Sequence, residues 1–236
     1  MITIDNNGNE QEFFCDYIIS SMPIKELITS FNNVPSDIKK ISEGLVYRDY
    51  QLISFLVHEF NLKNNTKWKT INDICPDSWI YLQDRSVSAG RIYIPKNFSP
   101  YLSENINDTL ICLEYFCNVD DDLWNMSDEN IYKKGTEDLI KLGAIKSYSS
   151  ILKSYRLKVE KAYPGYFGTY NEFDKIKKYI NNIENLICIG RNGQHKYNNM
   201  DHSTLSGIVA ADIIKNKKDK SLIWNVNTEN KYQEAK

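Results

Sequence analysis

The sequence predicts an α+β fold, a mostly antiparallel mixed sheet with flanking helices. Short apolar runs of strand character recur along the chain, the clearest over residues 47–60 and 109–118. Helical spacing appears between some of these runs but does not alternate with them regularly, as a parallel βαβ array would require. A 42% hydrophobic content over 236 residues supplies a sizeable core, enough for one large domain or two modest ones.

Taken in order, residues 1–22 read as two strands joined by a hairpin turn at Asn7-Gly8, the second holding the apolar run Tyr17-Ile18-Ile19. Pro23 opens a helix in which Ile24, Leu27, Ile28 and Phe31 share one face. Ser36 or Asp37 caps a short helix towards Leu45. Residues 47–60 form a central strand, and 77–97 two strands about a turn near Ser88-Ala89-Gly90. Residues 109–118 add another, with Glu114 set awkwardly among apolar neighbours. Ser127 caps a helix carrying Ile131, Leu139, Ile140 and Leu142, and Gly143 ends it. Residues 145–162 are strand-rich, 171–182 helical and 186–189 a strand, and a last helix begins near Ser203. The polar stretch 216–236 is expected to be a loosely ordered tail.

Composition excludes several classes of function. A net charge of −2 gives no basic face for nucleic acid. No run reaches the roughly 20 apolar residues of a membrane span, and the N-terminus lacks the basic start and apolar stretch of a signal peptide. The five cysteines (15, 75, 112, 117 and 188) are an odd, scattered set without CxxC. Together with His58, His195 and His202 they show no zinc spacing. Reduced thiols in a cytoplasmic protein without a metal site are therefore expected.

The most informative stretch is 186–214, LICIGRNGQHKYNNMDHSTLSGIVAADII. Gly190 and Gly193 permit positive φ and close backbone approach. Arg191 is suited to bidentate contact with phosphate or carbonyl oxygen. Asp201 and Ser203 are candidate N-caps at a helix start that offers amides to an anion. Leu205, Ile208, Val209 and Ile213 form an apolar stripe and Ser206, Gly207, Ala210 and Ala211 are small, so the helix is expected to be buried.

Gly190-Arg191-Asn192-Gly193, Tyr197 and Met200-Asp201 together resemble G-R-x-G-x-x-x-Y-x-x-M-D, the closing flavin motif of UDP-galactopyranose mutases. The region is also similar to that of flavin-containing amine oxidase and protoporphyrinogen oxidase-like proteins. DYIISSMPIKELI resembles a strand returning to a dinucleotide-binding domain and the helix after it. YLQDRSVSAGRIYIPKNFSP resembles the segment that carries an active-site arginine, which falls on Arg91, and AYPGYFGTYNEF the Tyr-Pro segment ahead of the motif.

The resemblance implies FAD as cofactor, with Gly190, Arg191, Gly193, Asn199, Met200 and Asp201 on its wall. It implies Arg91 and Tyr197 as substrate contacts, with Arg91 also catalytic. His195 and His202 depart from the mutase pattern; either is a candidate general base near neutral pH, His195 the one assigned to catalysis, or a loop histidine that only hydrogen-bonds. The implied organisation is returning strands of the FAD-binding domain at 1–22, a substrate-binding domain at 23–185, the closing strand, loop and helix of the FAD-binding domain at 186–215, and the tail. The chain contains no GxG, so the GxGxxG Rossmann half that grips the dinucleotide is absent from it. An upstream Rossmann domain is the implied partner, beside a small-molecule substrate, and the chain alone is not expected to be active. The activity implied is that of an FAD-dependent oxidoreductase of the amine oxidase type. The alternatives are a sugar-nucleotide mutase of polysaccharide biosynthesis and a non-catalytic binding remnant.

Overall fold

The computed structural model describes residues 1–228. Its elements run β1 (Ile2–Ile4), β2 (Glu10–Glu12), β3 (Ile18–Ser20), α1 (Ile24–Thr29), α2 (Ser36–Glu43), β4 (Tyr47–Val57), β5 (Trp79–Tyr81), β6 (Arg91–Tyr93) and β7 (Thr109–Cys117). They continue with α3 (Asp122–Asn125), α4 (Asp128–Lys141), β8 (Ile151–Pro164), α5 (Phe173–Asn181), β9 (Leu186–Cys188), α6 (Gly190–Gly193) and α7 (Met200–Asn216). The α+β class expected from the sequence is the one observed. The chain divides into two compact units, one formed by residues 1–47 and those from 163 on, the other by 48–162.

The second unit is built on a five-stranded sheet in the order β5-β6-β7-β4-β8. Alternation along β4 sends Ile53, Phe55 and Val57 to one face, and β7 sends Ile111, Leu113 and Tyr115 to the same face. The antiparallel register Ile53↔Leu113 and Phe55↔Ile111 sets these side chains opposite one another. Helix α4 covers them with Ile131 and Leu139. It approaches closely because Gly135 has no side chain: a Cβ there would stand 2.7 Å from the Phe55 ring. Ser127 caps α4, its Oγ accepting from the Asn130 amide at 3.3 Å, and Gly143 follows the helix with φ +69°. The buried Asp138 carboxylate ties α4 to the sheet, accepting from Tyr115 Oη at 2.8 Å and from the Ser88 and Ala89 amides at 3.2 and 3.3 Å.

In the first unit β3 and β9 pair in parallel, Ile18↔Leu186 to Ser20↔Cys188. All three residues of β9 are buried. Leu186 and Cys188 face a cluster with Ile24, Ile28, Ile41, Phe173 and Ile176, whereas Ile187 faces Ala210, Ile213 and Ile223. A parallel strand covered on both faces reads as a continuous apolar run, as LIC does. Helices α1, α2 and α5, assigned from sequence to the substrate-binding part, pack with β9 in this unit.

Two expectations for the ends of the chain are corrected. The N-terminal segment makes three strands rather than two. β1 and β2 close an isolated hairpin, Ile2↔Glu12 to Ile4↔Glu10, and Ile18-Ile19 instead joins β9, because only there does the apolar run find a covered partner. The polar tail is ordered as far as described: residues 220–225 form a 3₁₀ turn that buries Ile223, and Trp224 Nε1 donates to Asn181 Oδ1 at 3.0 Å. The part of the tail at 229–236 lies outside the described residues. All five cysteines are free, four of them buried. Among the described residues no helix is long and apolar enough to cross a membrane.

Asp138→Ala leaves the Tyr115 hydroxyl and two amides without their acceptor and is expected to cost about 2–4 kcal/mol of unfolding free energy. Tyr115→Phe, which keeps the amide bonds, is expected to cost about 1 kcal/mol. Chemical denaturation of the two variants checks the ranking.

Candidate functional site

The strand-to-helix turn after β9 is set by one close approach. The Ile189 amide donates to Ser20 O at 2.9 Å, extending the β3–β9 ladder by one bond. Gly190 then turns with φ +72° and the chain closes the four-residue helical turn α6. The segment is thus a helical turn rather than the open loop expected from sequence, because the Gln194 amide reaches back to Gly190 O at 3.2 Å. Gly193 packs directly on β3: a Cβ there would lie 2.8 Å from Ser20 O. The Gly190 amide donates to Ser206 Oγ at 2.9 Å, and that hydroxyl donates to Ser203 O at 2.7 Å, fastening the turn to α7.

Arg191 projects from this turn onto aromatic rings. Its guanidinium carbon lies 4.7 Å from the Tyr197 ring centre and 5.5 Å from that of Tyr163, and the two rings are near-parallel, 5.5 Å apart. Nε donates to Asn198 O at 2.8 Å, and Nη2 reaches Asn199 Oδ1 at 3.5 Å. The cation is therefore oriented before any ligand arrives. Beneath it runs a buried amide network. Gln194 Nε2 donates to Ile223 O at 2.8 Å, Asn198 Nδ2 to Gln194 Oε1 at 2.9 Å, and Asn227 Nδ2 to Asn198 Oδ1 at 3.0 Å. Tyr197 is buried, and its amide donates to Tyr166 Oη at 2.6 Å.

Helix α7 starts earlier than expected, and its N-cap is Asn199 rather than Asp201 or Ser203. The Asn199 side chain makes no capping bond, and the first intrahelical link is Ser203 N to Asn199 O at 2.9 Å. The amides of Met200, Asp201 and His202 therefore make no hydrogen bond among the described residues, the usual condition of a helix N-terminus. Met200 is 87% exposed, and Asp201 stands out beside His202. The expectation of a buried helix holds for one face only. Ser206, Ala210 and Ile213 are buried, whereas Leu205 and Ile208 point outward.

His195 is fully buried with φ +47°, a left-handed conformation that is unusual for a residue with a side chain. Nε2–H donates to Gly165 O at 3.1 Å, and the ring is packed by Tyr47, Tyr170 and Phe173 with centroids 4.7–5.9 Å away. Burial drives its pKa down from 6.5 to about 4, so the imidazole is neutral near pH 7. The neighbouring Lys196 ammonium lies over the Tyr166 ring at 5.1 Å.

Arg91 belongs to the second unit, on β6 opposite Glu114 of β7. Its Nε and Nη2 both meet Glu114 Oε2, at 2.8 and 2.5 Å. Nη1 reaches Tyr81 Oη at 3.3 Å, and the guanidinium lies between the Tyr81 and Phe116 rings. Glu114 is accommodated in an apolar strand by this partner. The first unit thus gathers Gly190, Arg191, Gly193, His195, Tyr197, Asn199, Met200 and Asp201, and the second holds Arg91. Sequence reasoning missed Tyr163, Gln194, Asn198, Asn227 and the role of Glu114. The Tyr-Pro segment around Tyr163 was visible; the amides carried no signal of their own.

No protein-family model and no curated protein matches the chain by sequence. Solved structures do. A reduced UDP-galactopyranose mutase superposes with a TM-score of 0.75 over 98% of this chain at 18% identity, and the match takes in 49% of that protein. The fold predicted from the closing motif is the fold observed. A putative protoporphyrinogen oxidase from Exiguobacterium sp. 255-15 superposes with a TM-score of 0.53 over 81% of this chain and 40% of its own, at 10% identity. The chain thus spans about half the length of the mutase it matches.

Gly193→Ala forces the turn off Ser20 O and is expected to cost about 1–3 kcal/mol. Gly207→Ala, in open space inside α7, is expected to stabilise by up to about 1 kcal/mol. Thermal or denaturant unfolding reads both. His195 gives a pH signature. With a folded pKa near 4 against 6.5, the folded chain binds fewer protons between those values. Its contribution is full above about pH 6.5 and is lost as pH falls to about 4, a difference of about 3 kcal/mol. His195→Gln is expected to flatten the stability profile across that window relative to the parent.

Proposed function

We propose that this chain is the substrate-binding part and closing flavin wall of a two-part FAD enzyme, with a separate polypeptide segment gripping the dinucleotide. The observation that carries it is the first turn of α7, which offers three unbonded amides and an exposed Met200 and Asp201 beside a guanidinium already fixed on two tyrosine rings. Amides at a helix start suit an anionic or carbonyl-rich edge of a cofactor. The residues present fit one side of such a group. Bound FAD would supply the redox or nucleophilic chemistry.

The chain's own residues then act around it. Arg191 holds charge at the wall, Tyr197 and Tyr163 fix its plane, and Gly190 and Gly193 let the backbone come close. His195 serves as a neutral packing residue that keeps the turn in place, and proton transfer falls to other groups. Arg91, oriented by Glu114, is the substrate contact. The exposed Ile19, Leu205 and Ile208 and the uncovered hairpin β1–β2 are where the other part of the enzyme would pack. Oxidation of an amine or C–H substrate is one reaction open to this arrangement. The better superposition on the mutase favours a second, rearrangement of a sugar nucleotide in polysaccharide biosynthesis. A cytoplasmic setting accords with either.

The test is the visible absorption spectrum of the chain purified with the polypeptide encoded immediately upstream. Flavin bands are expected from the pair and not from the chain alone, with Arg191→Ala weakening flavin retention at least about tenfold, or 1.4 kcal/mol. A colourless pair in which both parts are folded would contradict the proposal and leave a binding module.

A further inference from the structure

The loop between β4 and β5, with the turn after β6, borders an open cleft of about 490 Å³ in the second unit. Trp68, Lys69, Thr70, Pro76, Lys96 and Asn97 line it, and among the described residues no carboxylate does. The loop is tied down at several points. Thr70 Oγ1 donates to Ile74 O at 2.5 Å, Asn97 Nδ2 to Cys75 O and Asp77 O at 2.9 and 3.0 Å, and Asn72 Nδ2 to Ile106 O at 2.6 Å.

Lys96 is the unusual member. It is 2% exposed, yet among the described residues its ammonium donates only to main-chain carbonyls, those of Ile106 and Asp108, and makes no ion pair. The Asp108 carboxylate acts on it only from further off, and burial pushes the lysine pKa down. A buried cation without a counter-charge is costly. A second ammonium, Lys69, stands at the same cleft, and a third, Lys67, lies 5.5 Å from the Trp68 ring centre. Trp68 itself is 66% exposed, so a large ring faces solvent beside the cations.

We propose that this cleft binds a phosphate monoester carried on a planar ring, the phosphate between Lys96 and Lys69 and the ring against Trp68. Two ammonium groups without a carboxylate match a group that bears close to two negative charges at pH 7. The exposed indole offers an apolar contact to a ring that inorganic phosphate does not carry. Every residue invoked lies in the second unit, so the binding is tested without flavin.

The probe is phenyl phosphate, titrated into the full chain while the indole NMR signal of Trp68 is followed, that signal being assigned through Trp68→Phe. Saturable shifts are expected, with affinity at least about tenfold above that of inorganic phosphate and no response to phenol. Lys69→Gln, at an exposed position, is expected to lower the affinity about tenfold with the rest of the spectrum unchanged. A Lys96→Met variant with a native spectrum is expected to lose binding. Absence of saturation by phenyl phosphate overturns the proposal, as does equal affinity for inorganic phosphate or full affinity in Lys69→Gln.

Discussion

The contact on which the first unit turns is the packing of Gly193 against the carbonyl of Ser20. With a would-be Cβ only 2.8 Å from that oxygen, any side chain at this point would force the turn away from β3. The turn is consequently pressed onto the end of β3. From there Arg191 is delivered to the Tyr163–Tyr197 stack, and α7 begins with its first amides uncovered.

Electrostatics around the turn follow from what is buried. Arg191 and Lys196 rest on tyrosine faces, where a cation is attracted by the ring quadrupole. His195, between rings and a carbonyl, is stable only when neutral. Its left-handed backbone is held by the same enclosure that suppresses its charge. In the second unit Arg91 and Glu114 show the complementary solution, a cation and a carboxylate taken into a sheet together so that neither is left alone.

The class of fold was legible where one pattern ruled a whole segment. The period of β4 and β7, the Ser127 cap and Gly143 stop of α4, and the apolar run of β9 all declare themselves locally. The closing motif singled out the turn at 190–201 as a candidate site because an ordinary turn does not call for glycines at fixed spacing from an arginine, a tyrosine and an aspartate. What stayed hidden depends on distant partners. Ile18-Ile19 could pair with Asn7-Gly8's hairpin or with β9, and only burial of β9 on both faces decides it. Gln194, Asn198 and Asn227 are ordinary amides until the fold brings residue 227 beneath residue 198. The cap of α7 fell to Asn199, although Asp201 and Ser203 are equally good cap residues by type.

Hydrogen exchange resolved to single amides in the isolated chain is the most direct test that the turn after β9 is built without any ligand. A turn locked onto β3 requires the amides of Ile189, Gly190 and Gln194 to exchange at least about 100-fold more slowly than those of Met200, Asp201 and His202. Exchange at residues 189–194 as fast as at the open start of α7 would mean that the turn is not held by its own contacts, and the prebuilt turn would be refuted.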